Sequence, residues 1–303
     1  MIIATRQSRL ALWQSEHAAA ALMQAHPELS VELLPLSTRG DEVLDRSLSE
    51  IGGKGVFLKE LEVALLDGRA DIAVHSLKDV PAESPEGLEL AVVMPGANWS
   101  DLWIGADDRT PAQMPAGSRV GTSSLRRQSQ LLRAWPHLEV VPIRGNVQTR
   151  LGLMTSGQLD AVILAAAGIE RLGLDRELPQ AQALLPPEFL PAPGQGVIVI
   201  QCRADDERVR SLLAPLHCEV TAARVAAERA VVARLGGDCR MPLAALATLD
   251  GERLSLRARL ASPDGKQCLD SVQTGLAVDA RSLGEAAAEA LLAQGGEAII
   301  SQL

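Results

Sequence analysis

Long hydrophobic runs are missing from this 303-residue chain. No stretch approaches the ~20 consecutive apolar residues that span a bilayer, so no membrane association is expected. The first segment, Met1 to Arg6, turns polar too early for a secretory signal, and the expected location is the cytoplasm. Cysteine is scarce: Cys202, Cys218, Cys239 and Cys268 stand far apart with no C-x-x-C pair. That spacing suggests neither a disulfide framework nor a zinc site, no metal is expected, and any special cysteine acts alone. Basic residues number 29 against 38 acidic ones, a formal charge of −9, which argues against nucleic acid as a partner. No exposed heptad pattern asks for a second chain, and a monomer is expected.

What is present is unevenly placed. Of the 29 basic residues only four are lysine, and Lys54, Lys59 and Lys78 fall in one N-terminal stretch. Between Arg119 and Arg150 six arginines accompany a single acid, Glu139, and they sit beside turn signals rather than along helices. At 47% hydrophobic, the chain can bury two or three domain-sized cores.

Periodicity indicates one unit used twice. Met1–Thr5 reads as a strand, Ser8 as the cap of a helix reaching Ala25, and Pro27 as its break. The strand Val31–Leu36 ends at Arg39-Gly40-Asp41, a helix from Val56 stops at Gly68, and a third strand covers Asp71–His75. The same grammar returns as strand Arg119–Thr122, a helix from Ser124, a break at Pro136, strand Leu138–Ile143, a helix from Val147 to Gly157, and strand Asp160–Leu164. Such alternation implies mainly parallel sheets that bind ligands beyond the carboxyl ends of their strands, here in a cleft between two lobes. Val197–Cys202 reads as a strand rejoining one sheet. From about Pro215 a long helix, Glu219–Leu235, two strands, Leu243–Leu249 and Leu254–Ala261, and a last helix, Ala280–Leu292, read as a small α+β domain.

Four constellations carry possible chemistry. The turn Gly121-Thr122-Ser123-Ser124 offers backbone N–H groups and hydroxyls at a helix N-terminus, with Arg126 and Arg127 in the first turn, where the helix dipole disfavours them. Bound carboxylates would explain them; an ordinary cap with two surface arginines is the plainer reading. Arg144-Gly145-Asn146 and Arg150 repeat the theme, and guanidinium groups grip carboxylates in a bidentate way. Phosphate stays open at this point, although Gly52-Gly-Lys-Gly55 lacks Walker spacing. Lys78-Asp79 ends a strand, as an acid suited to proton transfer or cation stabilisation or as a simple turn. Cys239 follows two glycines, on a loop, as a reactive thiol or a bystander. His75 and the other three cysteines read as packing or surface residues.

Together these segments resemble the hydroxymethylbilane synthase, or porphobilinogen deaminase, family along nearly the whole chain. The carriers are Ile3–Ser8, Gly52–Gly55, Ala70–Pro81, Gly121–Gln128, Arg144–Asn146, Gly194–Gly196 and the Cys239 loop. The resemblance implies an α/β fold with two periplasmic-binding-protein-like lobes of mainly parallel mixed sheets plus a small α+β C-terminal domain. Its expected divisions are 1–95 with 195–214, 96–194, and 215–303. It implies a dipyrromethane cofactor joined by a thioether to Cys239, and porphobilinogen as substrate: four units are added with loss of ammonia before water releases the linear tetrapyrrole. Asp79 would be the catalytic residue, stabilising the positive charge that develops on the reacting rings. Lys78, Arg126, Arg127 and Arg150, with Thr122 and Ser124, would hold the cofactor. Arg6, Arg144 and Arg171, with Ser8 and Gln195, would receive substrate. One departure is Asp238 beside Cys239, where members often carry glycine; an acid there would raise the thiol pKa unless it faces solvent.

Two other classes compete. A solute-binding protein or a regulator's sensor half shares an anion cleft between α/β lobes, but gives no role to Cys239 or to a third domain, and neither an export signal nor a DNA-reading domain is evident. Phosphate-ester chemistry at the Gly121–Ser124 turn lacks an acidic metal-binding cluster.

Overall fold

The computed structural model describes residues 1–38, 58–237 and 241–303. Packing divides the chain into one unit of Met1–Ala97 with Val197–Ala222 and another of Asn98–Gly196 with Ala223–Leu303.

In the first unit the parallel strands β1 (Ile2–Arg6), β2 (Glu32–Leu36) and β3 (Ile72–Ser76) alternate with helices α1 (Arg9–Ala25) and α2 (Lys59–Leu66). Strand β4 (Leu88–Val93) forms an edge, and the returning chain inserts β10 (Ile198–Arg203) antiparallel between β3 and β4, in the order β2-β1-β3-β10-β4. In the second unit β5 (Asp101–Gly105), β6 (Arg119–Gly121), β7 (Glu139–Val141), β8 (Ala161–Ala165) and β9 (Gln182–Leu184) order as β7-β6-β8-β5-β9. There β6, β7 and β8 are parallel and β5 is the antiparallel insertion. Helices α3 (Leu125–Ala134), α4 (Val147–Thr155) and α5 (Ala166–Arg171) follow the parallel strands.

The duplication extends to single hydrogen bonds. Asp71 and Asp160, each just before a third strand, accept through Oδ2 from the N–H of Ile2 and Arg119 respectively, both at 2.7 Å. Each also donates its own N–H back to that residue's carbonyl oxygen, at 2.9 Å in both units. The preceding helix ends alike in the two units: Gly68 (φ 70°) and Gly157 (φ 73°) take the left-handed conformation that lets the chain turn back into the strand. Short strands of β-branched and small apolar residues bury both faces under helices, as a mainly parallel sheet requires.

Within the first unit, helix α6 (Glu207–Leu213) packs Val209 and Leu213 onto the sheet core beside Leu22, Ile72 and Ile200. The second unit also holds most of helix α7 (Glu219–Arg234), the antiparallel meander β11 (Leu243–Asp250), β12 (Arg253–Ala261) and β13 (Cys268–Leu276), and helices α8 (Ala280–Ala293) and α9 (Gly296–Ile300). Leu243, Ala245 and Ala247 of β11 face this core with Val231 and Leu291, whereas Ala244 and Leu246 on the other face meet Leu190. Both faces are thus covered, which explains an unbroken apolar run where strict alternation would mark a half-exposed strand.

The repeated strands and the C-terminal α+β elements lie within a few residues of expectation. The start of the expected helix at Val56, with Arg39–Asp41 and Gly52–Gly55, lies outside the described residues. Strands β4, β5, β9 and β13 escaped the pattern reading; β13 is polar along much of its length, with Val272 at 60% and Leu276 at 51% exposure. No helix among the described residues is long and apolar enough to cross a membrane.

Candidate active site

Asp79 closes a 3-10 turn, Leu77–Asp79, that starts where β3 ends. The turn is pinned by its backbone: the buried Leu77 donates its N–H to the Val197 carbonyl oxygen at 3.0 Å, and Val80 donates to Leu77 at 3.0 Å. Lys78 is half-buried and Asp79 exposed, so the carboxylate projects from a fixed base. Below it, Gln14 of α1 donates to Ser76 Oγ at 2.8 Å. His75 is buried, with Nε2 3.0 Å from Gln201 Oε1, and burial pushes its pKa down to about 4. An amide oxygen only accepts, so the neutral ring carries its proton on Nε2. His75 is therefore the packed residue expected, not a ligand. At the end of β1, Arg6 is half-buried, and Ser8 spends its hydroxyl capping α1, accepting from Ala11 N–H at 3.3 Å.

In the second unit the turn after β6 is internally wired. Thr122, buried, accepts through Oγ1 from Ser124 N–H at 3.2 Å, and Ser124 Oγ caps α3 by accepting from Arg127 N–H at 3.4 Å. Ser123 bridges to the neighbouring strand end: its Oγ accepts from Ile143 N–H at 2.9 Å and donates to Ile143 O at 2.5 Å. That bridge fixes the base of Arg144-Gly145-Asn146. Asn146 caps α4 through Thr149 N–H at 2.9 Å, and Arg150 folds back to donate from Nε to Gly145 O at 2.9 Å. Arg144, in the loop, and Arg150, in the first turn of α4, are both half-buried.

Arg126 and Arg127 are not surface residues; they are 4% and 6% exposed. The carboxylate that compensates them for their place at a helix N-terminus belongs to the protein itself. Arg126 Nη1 donates to Asp101 Oδ2 at 2.7 Å, and Arg127 reaches Asp101 Oδ1 from Nε at 3.0 Å and Nη2 at 2.6 Å. Arg126 also donates to Leu190 O at 2.8 Å and Arg127 to Ile163 O at 3.0 Å. Burial alone would push the Asp101 pKa up, but the two guanidinium groups outweigh it and hold the carboxyl well below the ordinary range. Gln195 completes the cluster, donating from Nε2 to Trp99 O at 2.7 Å and to Asp101 Oδ1 at 3.1 Å. The buried Arg126 Nε has no acceptor among the described residues. Arg171, partly buried, donates from Nη2 to Gly196 O at 2.7 Å, one residue beyond Gln195.

The sequence reading missed Asp101, the acid that organises the cluster. An acid opening a strand between Ser100 and Leu102 carries no mark of its partners 25 and 26 residues away. Cys239 and Asp238 lie outside the described residues; α7 ends at Arg234 and Gly237 leads towards them. Of the remaining cysteines, Cys202 is buried with its thiol pushed up to about 11 by burial, which makes it inert near neutrality. No cluster of three metal-ligating side chains occurs among the described residues.

The comparisons with known proteins agree along the chain. A family model described as porphobilinogen deaminase, dipyromethane cofactor binding domain, matches residues 1–211, and its companion, porphobilinogen deaminase, C-terminal domain, matches residues 222–293. A porphobilinogen deaminase of Bordetella parapertussis is 52% identical over 307 residues, covering 100% of this chain and 96% of that protein, and one of Bordetella bronchiseptica matches equally. Among solved structures, the periplasmic VFT2 domain of Bordetella pertussis BvgS covers 70% of this chain and 85% of its own, at 15% identity and a TM-score of 0.42.

Proposed function

The chain belongs to the porphobilinogen deaminase family, and from that premise we propose how its residues divide the labour of a hydroxymethylbilane synthase. The reaction condenses four porphobilinogen molecules, with loss of ammonia, onto a dipyrromethane primer and releases the linear tetrapyrrole with water. The segment expected as the first lobe supplies Asp79, the second supplies the arginines, and the third supplies Cys239. When bound, the primer supplies the terminal pyrrole carbon to which each new ring is joined.

The residues fit such a polyanionic group. Each pyrrole carries an acetate and a propionate, and guanidinium groups match carboxylates in plane and spacing. The observation that carries this reading is the buried Arg126 Nε–H, which lacks an acceptor within a cluster already committed to one carboxylate. A buried donor left unmet costs about 1–3 kcal/mol, a cost that an incoming anion removes. In this reading Arg126, Arg127 and Arg150, with Lys78, Thr122 and Ser124, hold primer carboxylates. Arg6, Arg144 and Arg171, with Ser8 and Gln195, hold those of the incoming ring.

Asp79 does the chemistry. Its exposed carboxylate, on a turn pinned by two backbone hydrogen bonds, accepts from pyrrole N–H groups and lowers the energy of the cation left when ammonia departs. It also receives the proton lost from the attacked ring carbon. Lys78 next to it keeps a carboxylate of the ligand close without competing for that proton. The protein acts as a cytoplasmic monomer.

Intact-mass measurement of the purified protein tests the reading. The expected result is an excess of two condensed pyrrole units, absent from Cys239→Ala. Asp79→Asn keeps the adduct and loses at least ~10²-fold in turnover. A bare polypeptide from porphobilinogen-producing cells, or an adduct that survives Cys239→Ala, would overturn it.

A further inference from the structure

Glu228, in the middle of α7, is a fully buried carboxylate that the reaction as described does not use. Its side chain is 4% exposed, and both oxygens accept from backbone amides: Oε2 from Gly194 N–H at 2.7 Å and Oε1 from Ala247 N–H at 2.8 Å. One carboxylate therefore ties the Pro191–Gly196 loop and strand β11 to the same helix. The loop needs such a tie. Gly194 (φ 71°) and Gly196 (φ 84°) hold left-handed conformations, and the further backbone anchors are Ala245 N–H to Pro191 O at 3.1 Å and Gln195 N–H to Ala192 O at 3.0 Å.

What the loop carries makes the tie consequential. Gln195, the residue after Gly194, donates to Asp101, and Asp101 holds Arg126 and Arg127. Gly196, the residue after Gln195, accepts from Arg171. Three arginines assigned to carboxylate binding are thus referenced to one loop, and the loop to Glu228. From the structure we infer that Glu228 is a positioning residue for the reaction: through Gly194 it sets Gln195 and thereby the Asp101–Arg126–Arg127 cluster. This rests on the reading of those arginines given above.

The electrostatics agree with that geometry. Burial pushes the Glu228 carboxyl up to about 7, against the two amide hydrogen bonds and the charge of Arg224. Arg224, one turn earlier on the same helix, is the charged group that faces it, and its Nε is spent on Ala247 O at 2.8 Å. The loop 191–196 holds no titratable side chain, nor does β11 before Asp250. A carboxylate accepts both amides; a protonated carboxyl presents an O–H to one of them and loses that bond. As pH falls through about 7, Glu228 loses one of its two amide bonds, and the joint tie of loop and β11 to the helix weakens.

The test uses the cofactor-loaded enzyme, with loading verified by mass. Glu228→Gln offers one acceptor and one NH₂ where two acceptors are needed. The expected result is a KM for porphobilinogen raised roughly tenfold, the effect of losing about one charge-assisted hydrogen bond's worth of ligand alignment, with the adduct retained. Wild-type KM rises as pH falls from about 8 to about 6, and the variant's does not. Exchange of the Gly194 amide, followed on peptides covering 191–197, is faster in the variant at equal pH. An unchanged KM with only a lower melting temperature would overturn the inference, and so would the same pH profile in both proteins. Should the variant not fold, a wild-type KM that is flat over this pH range overturns it. Gln195→Ala and Arg127→Lys separate the two levels. If they raise KM while Glu228→Gln does not, the inference fails alone; if neither does, the site reading fails with it.

Discussion

Replacing Asp101 by asparagine keeps the shape of a buried side chain and deletes the carboxylate charge that opposes two buried guanidinium groups. No cavity is made, so the loss reads electrostatics and hydrogen bonding rather than packing. Asparagine retains one acceptor, but its NH₂ must point at Arg126 or Arg127, placing donor against donor. Breaking a buried ion pair by removing one partner costs roughly 3–5 kcal/mol, because the surviving charge stays buried and uncompensated. Here two cations survive, so the upper half of that range is expected. For a domain of this size such a loss lowers the melting temperature on the order of 10 °C. Thermal unfolding by circular dichroism, with the cofactor adduct confirmed by mass, is the assay. The sign of the pH dependence is fixed. Since Asp101 has a depressed folded-state pKa, its contribution is complete above the unfolded value of about 4 and disappears only as pH falls below it. The gap between wild type and variant must therefore be constant across neutral pH. A loss below about 1 kcal/mol would show that water reaches the cluster and refute its description as buried.

Three further outcomes follow from particular contacts. A Cβ on Gly284 would overlap the Ala227 carbonyl oxygen and lie 2.5 Å from Ala230 Cβ, so Gly284→Ala forces α8 away from α7. A stability loss of about 1–3 kcal/mol in chemical denaturation is expected, and a neutral result would mean that the helices are not in close contact. Glu228 has a raised folded-state pKa, so its contribution to stability is complete below about pH 4.5 and is lost as pH rises to about 7. The stability of wild type relative to Glu228→Gln should fall by up to about 1.4 kcal/mol per pH unit across that window and then level, whereas a constant difference would place the carboxyl in water. His75, lowered to about 4 by burial, stays neutral in imidazole ¹⁵N spectra down to about pH 5; an imidazolium signal near pH 6 is the contrary result.

Much of the fold was legible because its signals are local. A strand, a helix ended by Gly68 or Gly157, and an aspartate three residues on repeat in order, and each sign acts within a few residues. The antiparallel insertion β5 was not legible, since it opens on a buried acid and its sheet neighbours, β8 and β9, come about sixty and eighty residues later. Glu228 was illegible for another reason. It sits in an Ala-rich helix as any solvated glutamate would, and its partners are backbone amides 34 and 19 residues away, which leave no trace in side-chain pattern. Lys78, Asp79, Arg144 and Arg150 stood out because strand ends and turn glycines flag them, whereas the depth of Arg126 and Arg127 depends on Asp101.

That dependence changes what the arginine count means. Six arginines against one acid between Arg119 and Arg150 suggest a strongly positive surface. Yet Arg126, Arg127 and Asp101 together carry a single net positive charge, and all three are buried. Under the proposed role in anion binding, the cluster contributes mostly order rather than charge. Asp101 fixes both guanidinium planes before any ligand arrives, so less side-chain entropy is lost when a carboxylate meets the remaining N–H groups. The two effects part company in Asp101→Asn, which makes the cluster more positive and less ordered. If charge governed, the variant would bind porphobilinogen more tightly at low salt; if order governs, its KM rises at every salt concentration, and the second outcome is the one this geometry requires.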